Sequence, residues 1–232
     1  MSLILSLETA DRGSSVALHE AGHLLCTIDL VIDRSAAEML TTAISQCLFL
    51  TGKSFEELSA IAVSKGPGSY TGLRIGISTA KGLCFAKDLP LVSVNTLDIL
   101  EAEVRAFNRH GLICPMLDAR RKEVYCKILD GNNRELLPTS AVVLEDNSFA
   151  EILNTEKVLF CGPGAEKAKE LILHENADFL SAQLRPKASM MGALAFKKFE
   201  NGELENVADF EPFYLKEFMG TVPTKNKKVV AP

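Results

Sequence analysis

The sequence predicts an α/β protein of two lobes, each a mixed sheet flanked by helices. Two observations point to this class. The chain begins with three strand-like runs, at residues 3–7, 14–19 and 23–30, and short turns join them as antiparallel neighbours. Helical and strand-like patterns then alternate to about residue 107, and a second strand-rich region begins at residue 112. We therefore expect the same kind of unit to occur twice along the chain.

The composition fits an ordinary globular protein with a sizeable core. The chain has 232 residues, of which 47% are hydrophobic and 24% are charged. No apolar run approaches the roughly 20 residues that span a bilayer, and the start lacks the basic residues of a signal peptide, so we expect a cytoplasmic protein. The net charge of −5 argues against strong binding of nucleic acid by this chain alone, because basic side chains supply most non-specific affinity.

The cysteines and histidines do not form the close groups that bind metal. His19 and His23 stand on either side of a glycine-containing turn, which predicts two surface residues at a hairpin, and His110 and His174 stand alone. We therefore expect no zinc or iron site. The six cysteines are widely spaced within apolar stretches and are predicted to be reduced core residues: Cys26, Cys47, Cys84, Cys114, Cys126 and Cys161.

A helix is predicted over residues 35–50 of the first lobe. Thr51 and Gly52 end it, and Ser54 and Glu57 then have the spacing of a capping box for a second, short helix. A strand follows at residues 60–64. The predicted helix shows apolar residues at helical spacing: Ala36, Met39, Leu40, Ala43, Ile44 and Cys47.

A tight glycine turn follows this strand. Gly66 and Gly68 permit backbone angles that other residues avoid, and Pro67 stiffens the turn between them. Ser69 or Thr71 can cap the helix that begins here and extends to about residue 86. Such a helix start presents unpaired N–H groups that could hold an anion.

The first lobe closes with a strand at residues 91–94 and a helix at 96–107 that Asn95 can cap. We place its boundary near His110, so that the lobes cover residues 1–110 and 111–220, with a flexible tail at 221–232. The second lobe is predicted to contain strands at 112–117, 123–129 and 157–161, a Gly-Pro-Gly turn at 162–164, and helices from 165 and over 189–200.

This order of elements is similar to the duplicated ribonuclease-H-like core shared by actin, sugar kinases and Hsp70. In that superfamily the first strand ends at an acidic residue beside phosphate and magnesium. The corresponding candidates for nucleotide or phosphate binding are Glu8, Thr9, Gly13 and Ser14, together with Gly66, Gly68 and Ser69 of the glycine turn. The alternative is a solvated hairpin turn without a ligand.

The helix after the glycine turn carries small residues at four-residue intervals. Gly72, Gly76, Ala80 and Cys84 would form a ridge that lets another backbone approach closely. The ridge either packs inside the lobe or forms an interface with another subunit, and both can hold for different faces. Our candidate interface comprises Met39, Ala43, Ile44, Cys47, Gly72, Arg74, Gly76 and Ala80.

Three blocks of sequence together closely resemble the TsaB (YeaZ) family across nearly the whole chain. They are Ile4-Leu5-Ser6-Leu7-Glu8-Thr9-Ala10, Gly66-Pro67-Gly68-Ser69-Tyr70-Thr71-Gly72-Leu73-Arg74-Ile75-Gly76, and Leu117-Asp118-Ala119-Arg120-Arg121-Lys122-Glu123-Val124-Tyr125. The middle block is highly specific, whereas the other two alone would be weak. The family usually has Asp at the position of Glu8, and many members have His at that of Ala36, so both departures remove ligand chemistry.

The resemblance implies a non-catalytic subunit of the machinery that makes threonylcarbamoyladenosine (t6A) at position 37 of tRNAs that decode ANN codons. It implies pairing with the catalytic paralogue TsaD, assembly with the ATPase TsaE, contact with tRNA through the complex, and a homodimer when isolated. The chain alone would need no cofactor, while ATP or ADP could bind at the junction with TsaD. The rival functions are an actin-like ATPase or small-molecule kinase and, more weakly, a glycoprotease of the metallopeptidase type.

Overall fold

A computed structural model describes residues 1–32, 35–105, 107, 111–180 and 184–216. The first of its two sheets has five strands in the order β3-β2-β1-β4-β5. β1 to β3 are antiparallel neighbours, and β4 and β5 run parallel to β1. The strands are β1 (Leu3–Glu8), β2 (Ser14–Glu20), β3 (His23–Leu30), β4 (Ala60–Gly66) and β5 (Leu91–Asn95).

The second sheet repeats this arrangement. Its strands have the order β8-β7-β6-β9-β10, with β6 antiparallel to β7 and parallel to β9. The repeated order confirms the predicted two-lobed, ribonuclease-H-like and actin-like α/β fold. The strands are β6 (Leu112–Asp118), β7 (Glu123–Leu129), β8 (Glu135–Val143), β9 (Val158–Cys161) and β10 (Ala177–Phe179).

Helices cover both faces of the first sheet. α1 (Ser35–Thr51) and α2 (Tyr70–Lys87) pack on the face formed by Leu3, Leu5 and Leu7, because successive strand residues point to opposite faces. α3 (Thr96–Arg105) covers the other face, together with a later helix of the chain. A single 3₁₀ turn, Phe55–Glu57, follows α1, and the Ser54 N–H donates to Oε2 of Glu57 over 2.7 Å, as the predicted capping box requires.

α3 also joins the two lobes. Its Leu97 and Leu100 pack with Leu117 of the second lobe in a fully buried cluster. Lys127 of β7, which is only 3% exposed, forms ion pairs with Asp98 of α3 and with Glu135. Burial lowers the pKa of Lys127, but the two carboxylates raise it further than burial lowers it.

The end of the described chain returns to the first lobe. A 3₁₀ turn at Ala188–Met190 and α6 (Gly192–Glu200) pack on the face of the first sheet that α3 also covers. Beyond α6, the Glu205 N–H donates to the Leu91 carbonyl over 2.8 Å. The second lobe is therefore shorter than the predicted 111–220, because the apolar side of α6 is buried against the first sheet. The expected boundary at His110 and the tail at 221–232 lie outside the described residues.

The second lobe contains three elements that the sequence does not predict: β8, β10 and α4 (Ala150–Leu153). β8 contains Pro138, which usually marks a break in a strand, and it lies at the edge of its sheet, where proline is tolerated. α4 is a single turn and β10 has three residues, so neither is long enough to show a period. α5 (Ala165–Leu171) follows the Gly-Pro-Gly turn as predicted.

Candidate functional site

The turn that follows β1 packs directly against the start of α2. The Ser69 N–H donates to the Ala10 carbonyl over 2.6 Å, and the Thr9 hydroxyl donates to the Gly72 carbonyl over 2.8 Å. A Cβ atom added to Gly68 would lie 2.4 Å from the Ala10 carbonyl oxygen. The glycines therefore allow two backbones of the same lobe to meet.

The predicted cap of α2 is present, but it occupies backbone N–H groups that an anion would need. The Gly72 N–H donates to the Ser69 hydroxyl over 3.3 Å, and the Leu73 N–H donates to the Ser69 carbonyl over 2.9 Å. The Ser69 N–H is already bonded to Ala10. The N–H groups of Ser69 and Gly72 are thus bonded within the chain, and the phosphate role of Gly66, Gly68 and Ser69 stays a prediction.

Glu8 lies at the end of β1 and is only 2% exposed. Its Oε1 atom accepts the Ala10 N–H over 2.5 Å, whereas Oε2 has no hydrogen-bond partner among the described residues. Burial raises the pKa of Glu8 to about 7, although the Ala10 N–H and the neighbouring Ser64 hydroxyl oppose the rise. Glu8 therefore holds the turn while one of its oxygen atoms stays unpaired.

A cleft opens beside this carboxyl group. Four of the predicted phosphate residues line it, whereas Gly66, Gly68 and Ser69 do not. Its empty space is about 230 Å³ with the open solvent above it included, so the enclosed volume is far below the roughly 300–1,000 Å³ of typical small-molecule sites. We call it the Glu8 pocket; its lining is Glu8, Thr9, Asp11, Arg12, Gly13, Ser14, Ser15, Asp29, Arg185, Pro186 and Lys187.

Most of the predicted interface residues are buried in the chain's own core. A Cβ atom added to Gly76 would lie 2.2 Å from Oγ1 of Thr9, and one added to Gly72 would lie 2.0 Å from the Thr9 carbonyl oxygen. The turn after β1 therefore packs against the small-residue ridge of α2, which favours packing inside the lobe over an interface with another subunit as the role of this ridge. Four more predicted interface residues are at most 5% exposed and pack in the core under α1 and α2: Ala43, Ile44, Cys47 and Ala80.

The outer sides of α1 and α2 carry a different set of apolar side chains. Phe49 is 77% exposed, Leu50 66% and Phe85 87%, and the predicted Met39 is 41% exposed. The two helices lie side by side on one face of the sheet, and Lys87 at the end of α2 forms an ion pair with Glu56 of the 3₁₀ turn that follows α1. Exposed apolar side chains concentrated on adjacent elements are typical of interaction surfaces. We call these four residues the outer apolar face.

The sequence analysis missed Phe49, Leu50 and Phe85 because helical periodicity selects the residues that face the core. A signal was nevertheless present. Phe49 and Phe85 each follow a periodic core position by one or two residues, and aromatic residues on the polar side of an amphipathic helix are unusual. Of the predicted interface residues, only Met39 and Arg74 have exposed side chains, and Gly72 is partly exposed.

Arg74 is held at the start of α2 by two aromatic residues. Its Nε donates to the Tyr214 hydroxyl over 3.1 Å, and its guanidinium lies 4.1 Å from the centre of the Tyr70 ring. The rings of Tyr70 and Tyr214 are stacked at 4.9 Å. The Arg74 side chain is therefore held in a fixed orientation at the start of α2.

His19 is buried, which corrects its predicted position on the surface. It is 1% exposed and lies between the Ser6 hydroxyl, 3.3 Å from Nδ1, and the Ser189 carbonyl, 3.2 Å from Nε2. Burial lowers its pKa. His23 is exposed, as predicted. The described residues contain no group of three or more acidic, histidine or cysteine side chains placed to hold a metal ion.

The predicted core position is confirmed for five of the six cysteines. All six are free thiols, and five of them are buried, with Cys26 partly exposed. Ion pairs hold both ends of the turn between β6 and β7: Lys167 of α5 lies 2.5 Å from Asp118, and Lys216 pairs with Glu123.

Comparison with known proteins identifies the family. The family model described as TsaD, tRNA N6-adenosine threonylcarbamoyltransferase, matches residues 31–217. The Bacillus subtilis tRNA threonylcarbamoyladenosine biosynthesis protein TsaB is 31% identical over 222 residues, which cover 92% of this chain and 93% of the relative. The chain belongs to the TsaB family, within the wider TsaD family.

Other TsaB family members support this assignment. The Escherichia coli TsaB is 28% identical over 92% of this chain and 94% of its own length. The solved structure of YeaZ from Pseudomonas aeruginosa has a TM-score of 0.80 and 29% identity, and it covers 93% of this chain and 100% of that one. The family resemblance seen in the three sequence blocks is thus confirmed over the whole fold.

Among the described residues, no helix is both long enough and apolar enough to cross a bilayer.

Proposed function

We propose that this TsaB family chain is a non-catalytic scaffold for t6A formation at position 37 of ANN-decoding tRNAs, and that it acts in the cytoplasm by pairing with the catalytic paralogue TsaD. The observation that carries the proposal is the outer apolar face, where Phe49 and Phe85 are 77% and 87% exposed. Phenylalanine side chains are enriched at the cores of protein–protein interfaces. The relatives that cover the whole chain are named as tRNA threonylcarbamoyladenosine biosynthesis proteins.

The contacts around α2 support a scaffold. The turn after β1 holds the start of the helix through Ala10 and Thr9, and Lys81 donates from its middle to the Ala208 and Phe210 carbonyls, each over 3.0 Å. A surface whose backbone is fixed on both sides loses little conformational freedom on binding. The same surface would pair with itself when the partner is missing, which gives a homodimer.

The ATPase alternative is less well supported by the Glu8 pocket. The pocket is smaller than typical small-molecule sites, and its one apolar lining residue is Pro186, so it offers no wall for a nucleobase. The N–H groups of Ser69 and Gly72 are bonded within the chain. We propose that any ATP or ADP binds at the junction with TsaD and that TsaE joins there, so that the isolated chain needs no cofactor.

Reconstitution tests the proposal. Purified TsaD, TsaE and the enzyme that supplies the threonylcarbamoyl donor are incubated with an unmodified ANN-decoding tRNA, with and without this chain, and t6A is measured by mass spectrometry of nucleosides. The proposal expects t6A only when the chain is present, and no ATP turnover by the chain alone. Equal t6A without the chain, or ATP hydrolysis by the isolated chain that Glu8→Ala abolishes, would refute it.

A further inference from the structure

The turn between β6 and β7 carries three consecutive exposed basic side chains: Arg120, Arg121 and Lys122. None of the three forms an ion pair within 4.0 Å with a described residue. The acidic residues at the two ends of the turn are neutralised, Asp118 by Lys167 and Glu123 by Lys216. This turn, which we call the arginine turn (residues 119–122), therefore presents positive charge on a chain whose net charge is −5.

The backbone of the arginine turn has a conformation that arginine rarely adopts. The φ angle is 67° at Arg120 and 51° at Arg121. Glycine, asparagine and aspartate are the usual residues at such positions, because a longer side chain makes positive φ costly. The fold alone would be served better by one of them at both places. Two successive arginines at this backbone cost therefore indicate a role for the guanidinium groups themselves.

The arginine turn is also fixed against the rest of the second lobe. The Lys167 ammonium group donates to the Arg121 carbonyl over 2.9 Å, and the Leu144 N–H donates to the Lys122 carbonyl over 2.7 Å. Two carbonyl groups that would repel an approaching anion are thus bonded within the chain. A surface held in this way loses little conformational freedom when it binds a ligand.

Two further arginines lie near the turn on the side of the first lobe. Arg185 uses Nη1 to bond the Arg12 carbonyl over 2.8 Å, and neither side chain forms an ion pair within 4.0 Å with a described residue. Burial raises the pKa of Asp11, the charges of Arg185 and Arg12 oppose the rise, and the charge of Asp118 adds to it. Such effects fade beyond a Debye length of about 10 Å, so the arginines of both lobes lie at one junction.

The chemistry of this surface favours a polyanion over a protein partner. Residues 118–123 include no exposed large apolar side chain, whereas protein interfaces have an apolar core. Arginine forks match phosphate oxygens in a bidentate geometry. One small anion could not contact the arginines of both lobes together, but successive phosphate groups of a nucleic acid could. Phosphate contacts of this kind position a nucleic acid without reading its sequence.

We propose that the arginine turn, together with Arg12 and Arg185, binds the phosphate backbone of the tRNA that the complex modifies. This inference rests on the proposed function and adds the RNA-contacting surface to it. The net charge of −5 explains why the chain alone would hold RNA weakly and would act within the complex.

The end of the described chain places the arginine turn beside the start of α2. Tyr214 stacks on Tyr70 at the start of this helix, and Lys216, two residues later, pairs with Glu123 at the end of the turn. RNA bound at the turn would therefore lie next to one of the two helices that carry the outer apolar face.

Fluorescence anisotropy of a labelled, unmodified ANN-decoding tRNA, titrated with the complex of the full chain and TsaD, tests this surface. The variant that combines Arg120→Asn with Arg121→Asn removes two charges, while asparagine tolerates the positive φ angles and keeps the turn. We expect its Kd to rise roughly tenfold, and the slope of log K against log salt concentration to fall by about 1–2, as two lost phosphate contacts require. In t6A formation its KM for tRNA should rise while kcat is retained.

Matched variants keep the test specific. Arg134→Asn with Lys157→Asn removes the same charge from exposed positions at the opposite end of the second sheet, beyond β7 and before β9, and should leave the Kd unchanged. Arg120→Lys with Arg121→Lys keeps the charge and should retain most of the affinity. The proposal is overturned if the asparagine variant binds like the parent, if the controls weaken binding equally, or if the asparagine variant no longer co-purifies with TsaD, since the turn would then bind protein.

The same measurements separate this inference from the proposed function. Equal t6A formation without the chain would refute the proposed function, and the tRNA titration would still decide the role of the arginine turn. If the chain and TsaD do not associate, the chain alone is titrated at low salt, where phosphate contacts are strongest. A chain that is required for t6A, but whose asparagine variant keeps the parent Kd and KM, would refute only the present inference.

Discussion

A Cβ atom added to Gly76 would lie 2.2 Å from the Oγ1 atom of Thr9. Thr9 belongs to the turn after β1, and Gly76 lies in the middle of α2, so this contact fixes the helix against the first strand of the sheet. The glycine motif of the sequence is therefore explained by packing within the lobe. The surface that we propose for the partner is the opposite side of the same helix.

This contact predicts that Gly76→Ala destabilises the chain itself. The added methyl group must displace Thr9 or the helix, and overpacking of this kind costs about 1–3 kcal/mol. Urea denaturation of the purified chain measures the change. Gly82→Ala is the matched control in the same helix, because no atom lies within 4 Å of its added Cβ. It should stabilise the chain by about 0.5–1 kcal/mol, and equal losses in both variants would contradict the packing account.

The raised pKa of Glu8 predicts that the stability of the folded chain depends on pH. Because burial raises its folded pKa from 4.5 to about 7, the folded state binds the proton more tightly than the unfolded state. The stabilisation of the folded chain by protonated Glu8 is fully present below pH 4.5 and is lost as the pH rises towards and through 7. Glu8→Gln keeps an acceptor for the Ala10 N–H but cannot ionise. Relative to the parent chain, it should therefore gain stability between pH 5 and 8, by an amount on the order of 3 kcal/mol.

Urea denaturation of both chains at several pH values checks this prediction. Taking the difference between the two chains removes the effect of all other titrating groups. Parallel curves for the parent and Glu8→Gln chains would show that Glu8 titrates in the folded state as it does in the unfolded one.

The ion pair between Lys127 and Asp98 predicts coupling between the lobes. Lys127 is 3% exposed, and Asp98 lies on α3 of the first lobe. A double-mutant cycle with Lys127→Met and Asp98→Asn should give a coupling energy of about 0.5–3 kcal/mol in chemical denaturation. The pair between Lys87 and Glu56 serves as an exposed control and should couple more weakly, since water screens it. Similar couplings in both pairs would argue against α3 as the link.

The local elements of the first lobe could be predicted from the sequence, since each has a local cause. β1 is an apolar run, Ser69 and Asn95 are short-range caps, and glycines mark the turn before α2. The burial of His19 could not be predicted in this way. Its partner Ser189 is 170 residues away along the chain, and the contact exists because α6 returns to the first sheet.

The candidate site was only partly predictable for a related reason. Periodicity identifies which residues of a helix are apolar and regular, and in α1 and α2 those residues are the core: Ala43, Ile44 and Cys47 are at most 5% exposed. The apolar residues of an outward surface, such as Phe85, do not follow the helical spacing of the core residues. Glu8 and Ser14 were predicted because the similarity to the ribonuclease-H-like superfamily points to the turn after the first strand, whereas Arg185 joins the pocket only through folding.

The central claim is that the outer apolar face docks TsaD. Phe85→Glu places a charge at a side chain that is 87% exposed, and Leu173→Glu makes a comparable change at an equal exposure in the second lobe. Each variant is co-expressed with tagged TsaD, and the amount of chain that co-purifies is measured alongside t6A formation. We predict that Phe85→Glu weakens docking by roughly 2 kcal/mol or more and loses t6A, while Leu173→Glu retains both. Full co-purification of Phe85→Glu with TsaD would contradict the account.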